Sequence, residues 1–383
     1  MPVKPELIHQ THFLFKRLIA CLIPVILLAS CNKTTKQEGA DTSLIKTDST
    51  PTGNHFYVHL IGTIGKRSVS MDLLRENGPD GKAIFNGCYS FDSDQAPISI
   101  FSVGSDSLDR IELSESEMPE GNEGKFSGKF QSGKFVGQYT STNGTKQDFS
   151  LQIAFPEGSI SFDPISGDST ILASSSSESP FAQFSYNFLC PKEPWLMNAM
   201  LGEMHGDSIA QLCQGKPTLA FNKIGNQFAL DYQSEVTPMI GDSELESFLN
   251  YELALGVEVL YNRSNLLSLS FSQYNYTGGA HGMLFSRCAS FDLNAKKRIR
   301  LEDVLKSNSQ DKLKAALTAA AKKKYQTNNL TDVLLVDEII PNENFFLTGK
   351  GICFNFQPYE IGPFSMGEQK IYLPFSSIED IVK

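Results

Sequence analysis

The sequence predicts an α+β protein in two parts: an antiparallel all-β N-terminal domain, then an α+β domain with a mainly antiparallel sheet and few helices. Three observations carry this. From residue 55 to 163, short alternating apolar runs recur between turn signals, the spacing of a sheet, sandwich or barrel. From residue 181 to 383, strand-like runs are joined by stretches of helical period. Between them "DPISGDSTILASSSSESP" is Ser-rich and reads as a linker over 164–180.

The start of the chain reads as targeting rather than fold. Lys16 and Arg17 precede the apolar stretch "LIACLIPVILLAS", too short to span a bilayer and stay there, so residues 1–30 read as a signal peptide. Its end, "LASC", resembles a bacterial lipobox, which makes Cys31 the expected lipidation site and the membrane a partner through a lipid anchor. Residues 31–54 are polar and poor in aromatics, too little apolar surface to order themselves, and read as a flexible tether. The expected location is therefore exported, lipid-anchored in the cell envelope, with the outer membrane favoured.

The formal charge is −10, and the signal's Lys4, Lys16 and Arg17 against Glu6 carry +2, so the remainder carries −12. An acidic body argues against nucleic acid, whose binders set a positive field against phosphate; it fits a basic partner somewhat better, and solubility alone explains it as well. Cys88, Cys190, Cys213, Cys288 and Cys353 remain beyond the signal and lipobox. Export permits disulfides, and Cys190 with Cys213 is the candidate pair. Their spacings match no metal pattern, and neither metal nor cofactor is expected.

Within 55–163, "HFYVHLIGTI", "RSVSMDLL", "AIFNGCYSF", "PISIFSV" and "DRIELSE" read as strands. In "GKFSGKFQSGKFVGQY" the aromatic parity flips across "QSG", so a turn there joins two strands, with each Gly leaving room for a ring. The acidic run Glu112, Glu115, Glu117, Glu120 and Glu123 lacks calcium-loop spacing and reads as a solvated loop. His55 and His59 share a strand face but lie about 13 Å apart along it, too far for one metal.

Beyond the linker, "FAQFSYNFL" and "KPTLAFNKIG…FALDYQSEV" read as strands, and Asp242 or Ser243 ahead of Glu246 as a short capped helix entry. "GVEVLYNRSNLLSLSFSQYNY" and "SRCASFDLNAKKRIRLEDVL" read as hairpins around "NRSN" and "NAKK". Ser309 to Gln326 is the clearest helix, with Leu313, Ala316, Leu317 and Ala320 as its apolar stripe and Lys322, Lys323 and Lys324 on its C-terminal dipole. The remainder reads as strand, strand, exposed loop, strand and a terminal helix.

Two motifs stand out. "YTGGAHG" (276–282) runs from a strand into a glycine-rich loop, and "PYEIGP" (358–363) is a loop stiffened by proline at both ends. Together, in this order, they resemble the C-terminal domain family of RsiV, a lysozyme-binding anti-sigma factor, which also occurs in the non-catalytic region of the deacetylase PdaC. The resemblance covers residues 181–383 and implies a binding domain whose partner is a lysozyme-like basic protein or a peptidoglycan fragment. It does not carry over anti-sigma signalling, which needs a sigma-binding segment and a spanning helix. Nor does it carry over deacetylation, because neither the paired Asp nor the H-x-x-x-H element of that chemistry occurs in 181–383.

Tyr276, Thr277, Gly278, Gly279, His281, Tyr359 and Glu360 are thus the candidate binding residues, and no residue is assigned a catalytic role. A catalytic base needs a nucleophile and an orienting group, and neither His205 nor His281 shows them in sequence. Two alternatives remain: a glycan-modifying hydrolase using His281 and Glu360, and a structural scaffold of an outer-membrane assembly.

Overall fold

The computed structural model describes residues 45–46 and 49–383, apart from 79–81, 104–106, 117–122, 177–178, 207–209, 211–212, 214 and 242–247. The signal, Cys31, most of the tether, Glu117, Glu120 and the expected helix entry at Asp242 to Glu246 lie outside the described residues. Thr42–Lys383 is one compact unit. Among the described residues no helix is long and apolar enough to cross a membrane.

Strand β1 (Ile45–Lys46) pairs with the last strand of an antiparallel meander. The meander comprises β2 (Phe56–Ile64), β3 (Arg67–Asn77), β4 (Ala83–Phe91), β5 (Ile98–Ser102), β6 (Ile111–Glu115), β7 (Lys125–Gln131), β8 (Lys134–Thr140) and β9 (Lys146–Phe155). Each pairs with the next, and β9 also pairs with β2, so the eight strands close into a barrel and leave no free edge. Period-2 alternation points Leu60, Met71, Phe85, Tyr89, Phe126, Phe135 and Phe149 inward. The "QSG" turn falls between β7 and β8 as expected. A Cβ on Gly128 would lie 2.7 Å from the Phe149 ring and 2.9 Å from the Phe135 ring, so glycine there makes room for aromatics.

Two members of the acidic run, Glu112 and Glu115, depart from the loop expectation by lying in β6. Glu115 is buried, accepting from the Tyr89 hydroxyl at 2.5 Å, the Tyr139 hydroxyl at 2.9 Å and the Gly124 N–H at 2.9 Å. Those three donors replace water, which is how a carboxylate tolerates the interior. Burial and the neighbouring Glu115 charge push the Tyr89 phenol far above its usual range.

The stretch expected as a linker, 164–180, is instead mostly a hairpin. β10 (Phe162–Leu172) pairs along its whole length with β11 (Phe181–Pro191). It is an edge strand whose Ser, Asp and Thr side chains face solvent, so its composition resembles a loop. After β11 come helices α1 (Pro194–His205) and α2 (Pro217–Val236), which return the chain to β12 (Tyr251–Arg263), parallel to β11. A parallel pair requires such a crossover. The segment expected as strands, "KPTLAFNKIG…FALDYQSEV", is therefore helix α2. It opens with Pro217 in its first turn and buries Ala220, Phe221, Tyr232 and Val236 on one face.

Both expected hairpins form. β12 turns through Ser264 and Asn265, both at positive φ, into β13 (Leu266–Tyr276). β14 (Met283–Asp292) turns into β15 (Lys297–Ile299). The short helix α3 (Leu301–Val304) and helix α4 (Gln310–Lys324) follow, the latter with the expected stripe and C-terminal lysines. A three-stranded sheet, β16 (Phe345–Leu347), β17 (Gly351–Phe356) and β18 (Gln369–Pro374), completes the fold, ending in a 3-10 turn at Phe375–Ser377 rather than a helix. Cys190 and Cys213, expected as a disulfide pair, are free thiols. Cys190 stands on β11 opposite Asp163, where burial and that charge push its thiol up to about 11, and Cys213 is fully buried as a small hydrophobe.

The barrel is joined to the mixed sheet by a buried polar network. Asp72 Oδ1 accepts from the Tyr57 hydroxyl at 2.5 Å and meets His59 Nδ1 at 2.7 Å. Asn262, at the end of β12, donates to the Tyr57 oxygen at 2.9 Å and to the Ile160 carbonyl at 2.7 Å. Around it Arg263 pairs with Asp92 at 2.5 Å, and Lys350 donates to the Asp92 and Ser93 carbonyls. Replacing Asp72 with Ala leaves a phenol and an imidazole buried without their acceptor. Urea unfolding should show a loss of about 2–4 kcal/mol; a loss below about 1 kcal/mol would mean that the network is not what holds the joint.

Candidate functional site

The two motifs lie more than seventy residues apart, yet one side chain brings them together. Gln357, just before "PYEIGP", donates to the Ser286 carbonyl at 2.6 Å and accepts from the Ser286 N–H at 3.2 Å. Ser286 sits on β14, which begins directly after "YTGGAHG". The paired bond seats the second loop against the strand that carries the first.

Three rings then stack at the surface. His281 lies 3.9 Å, centroid to centroid, from Phe364, with their planes 20° apart. Tyr359 lies 5.7 Å from the other partner in the stack, again Phe364, at 30°. His281 and Tyr359 are exposed, Tyr359 by 57%. Leu284 and Phe285, 43% and 45% exposed, follow on β14 and point to opposite faces of its sheet.

Each loop is held by its own backbone. Gly278 has φ +85°, and a Cβ there would lie 2.7 Å from the Phe248 carbonyl, so both conformation and space require glycine. The Tyr276 hydroxyl donates to the Gly279 carbonyl at 3.0 Å, and His281 Nδ1 lies 3.1 Å from the Gly282 carbonyl. Thr277 and Gly279 are exposed beside them. In the second loop Tyr359 adopts φ +70°, a strained value for a residue with a side chain. Glu360 offsets that strain: Oε2 accepts the Gln357 N–H at 2.8 Å and Oε1 accepts from Asn342 Nδ2 at 2.8 Å.

The structure thus gathers His281 and Tyr359 on one shelf, while Glu360 shapes the loop beneath. Glu360 and His281, weighed in sequence as acid and base, each have other engagements: two hydrogen bonds for the carboxylate, a ring stack for the imidazole. Sequence reasoning missed Phe364, the centre of the stack, and Asn342 and Gln357, which fix the loop. Phe364 follows the second proline immediately, and a rigid loop ending on an aromatic was the available signal. Nothing local marks Asn342 or Gln357, because their partners are distant in sequence. Among the described residues no group of three or more His, Cys, Asp and Glu could hold a metal ion.

His205, the other histidine considered, packs edge-on against Phe221, 5.5 Å between centroids. Its Nε2 is buried without a hydrogen-bond partner among the described residues. Burial pushes its pKa down to about 4, so the folded state binds its proton less readily than the unfolded chain. Its contribution is complete above the unfolded value near pH 6.5 and falls as the pH drops toward 4. Unfolding midpoints measured across that window should decline toward acid, and His205→Leu should flatten the decline. An unchanged slope would assign it to other groups.

The loop contacts also predict an order of effects. Glu360→Ala removes two hydrogen bonds that hold a strained backbone and should speed amide exchange across residues 357–362. His281→Ala removes one exposed ring contact and should cost less than about 1 kcal/mol, with exchange there unchanged. The reverse order in exchange measurements would refute this division of roles.

Two family matches cover much of the C-terminal half. The family described as Deacetylase PdaC matches residues 200–284, and the Protein of unknown function family DUF3298 matches residues 302–376. The first contains "YTGGAHG" and the second "PYEIGP". The chain is 25% identical over 137 residues to the peptidoglycan-N-acetylmuramic acid deacetylase PdaC of Bacillus subtilis (strain 168), covering 34% of this chain and 29% of that protein. The chain therefore spans less than a third of that relative. A DUF3298 family member from Bacteroides fragilis NCTC 9343, a solved structure, shares the fold with TM-score 0.54 and 22% identity, over 58% of this chain and 94% of that one. The C-terminal half of this chain carries a domain of the DUF3298/PdaC-like family.

Proposed function

We propose that this chain is a cell-envelope lipoprotein whose C-terminal domain binds peptidoglycan glycan without altering it. The observation that carries this reading is the surface stack of exposed His281 and Tyr359 on half-buried Phe364. Aromatic rings held on rigid loops at the surface suit contact with a sugar ring, at little entropic cost because the rings are already ordered. The relative whose name records action on peptidoglycan supports the wall as the setting. The resemblance of "LASC" at Cys31 to a lipobox supports anchorage close to that wall, by acyl chains rather than a helix.

Retention on purified sacculi tests the reading. Tyr359→Ala removes a ring that is mostly in solvent, so it should leave the melting temperature alone while lowering retention roughly fivefold. Retention unchanged by Tyr359→Ala would sink the shelf as the contact surface. Saturable calorimetric heat with lysozyme, together with no retention on sacculi, would point to a basic protein partner instead. A muropeptide profile altered by wild type but not by His281→Ala would replace binding with hydrolase chemistry. Recovery of a fixed set of membrane proteins without added glycan would favour a scaffold.

A further inference from the structure

Next to the shelf, a cleft of about 350 Å³ opens between the barrel and the mixed sheet. That is the lower end of the size range for small-molecule sites. Its lip carries Phe101 from the barrel, 42% exposed, and Leu284 from β14. Hydroxyl and amide groups line its walls, among them Ser270, Ser272, Asn86 and Asn187. Four carboxylates, Asp72, Glu76, Glu258 and Glu368, line it together with one ammonium, Lys370, so its potential is negative.

These charged groups are not equivalent. Glu76 is satisfied: Asn86 donates to it at 3.0 Å, and Asn187 to its two oxygens at 3.2 and 3.0 Å. Lys370 donates to Ser99 Oγ at 2.8 Å, tying β18 to the barrel. Glu368 accepts from Ser286 Oγ at 2.8 Å through Oε2, but its Oε1 is buried with no hydrogen-bond partner among the described residues. A buried carboxylate oxygen without a donor is costly, and a ligand cation would remove that cost. Asn355, fully buried and opposite Lys370 in the β17–β18 ladder, also leaves both amide atoms unpartnered. Asn355 is not itself at the cleft, so among the described residues the unmet group there is Glu368 Oε1.

We propose that this cleft binds an amino sugar, with the protonated amine on Glu368, ring hydroxyls on the Ser and Asn walls, and a ring face against Phe101. A basic amino acid has an ammonium but no ring of hydroxyls to use those walls. An N-acetylated sugar has the ring but offers Glu368 no charge, and a sugar bearing a carboxylate meets the excess of negative groups. The proposal deepens the wall-glycan reading by naming de-N-acetylated units as the preferred ligand. It rests on that reading for the ligand's source and on the cleft for its chemistry.

Calorimetric titration of the purified protein at about pH 6, where the sugar amine is protonated, tests this with glucosamine, N-acetylglucosamine and glucose. Glucosamine should bind roughly tenfold more tightly than the other two, the worth of one charge-assisted hydrogen bond. Glu368→Gln keeps an acceptor for Ser286 and should bring the three sugars to parity. Phe101→Ala, at an exposed lip, should weaken all three alike without disturbing the fold. Equal binding by wild type, a preference for glucosamine that survives Glu368→Gln, or no glucosamine binding would each overturn the proposal. Tyr359→Ala should leave glucosamine affinity unchanged, so loss of the cleft reading and loss of the shelf reading are separately visible.

Discussion

A buried carboxylate at the join between barrel and mixed sheet fixes where the remaining parts can sit. Asp72 is almost fully enclosed, and an ion there persists only if donors replace the water it has lost. Tyr57 and His59 supply them from β2, the neighbouring strand. The Tyr57 oxygen is then free to accept, and Asn262 from β12 takes that place. The requirement for satisfied partners is directional, whereas apolar contact alone would tolerate sliding of one sheet over the other. The orientation of the two sheets, and so the width of the cleft between them, follows from that directionality.

The shelf depends on a second, smaller constraint of the same kind. Tyr359 holds a backbone conformation that a side chain disfavours, and such strain persists only where the surroundings over-determine it. Glu360 and Asn342 close the loop from within, while Gln357 fastens it to β14 from outside. The stack of His281 on Phe364 is a consequence of that fastening rather than its cause, because a single exposed ring contact is weaker than the paired hydrogen bonds.

How much of this the sequence disclosed depends on whether the relevant physics was local. The barrel strands, both C-terminal hairpins and helix α4 could be read because side-chain period and turn residues act over a few positions. β10 could not: its solvent-facing Ser, Thr and Asp side chains carry the composition of a linker, and only its partner β11 makes it a strand. Helix α2 misled for the opposite reason. Its apolar residues serve a crossover packed on β11, and Phe221, Phe228 and Tyr232 suggest β-propensity that the tertiary setting overrides. Glu115 was read with its acidic neighbours, although its donors, Tyr89 and Tyr139, lie 26 and 24 residues away. The marked loops were legible as motifs, but the residues that unite them were not, since a Gln facing a strand seventy-one positions away leaves no local trace.

Ser286 is the point at which shelf and cleft meet. Its backbone N–H and carbonyl hold Gln357 and hence the loop that presents Tyr359 and Phe364. Its hydroxyl holds one oxygen of Glu368, a residue that lines the cleft. A single strand residue therefore orders both the apolar and the charged part of this surface, and a ligand that tightens either arrangement acts on a hydrogen-bonded element common to both. Thermodynamic linkage requires any such effect to be mutual. A polymer laid across the shelf with an amine reaching the cleft would use that common element from both ends, with the second contact made at high effective concentration.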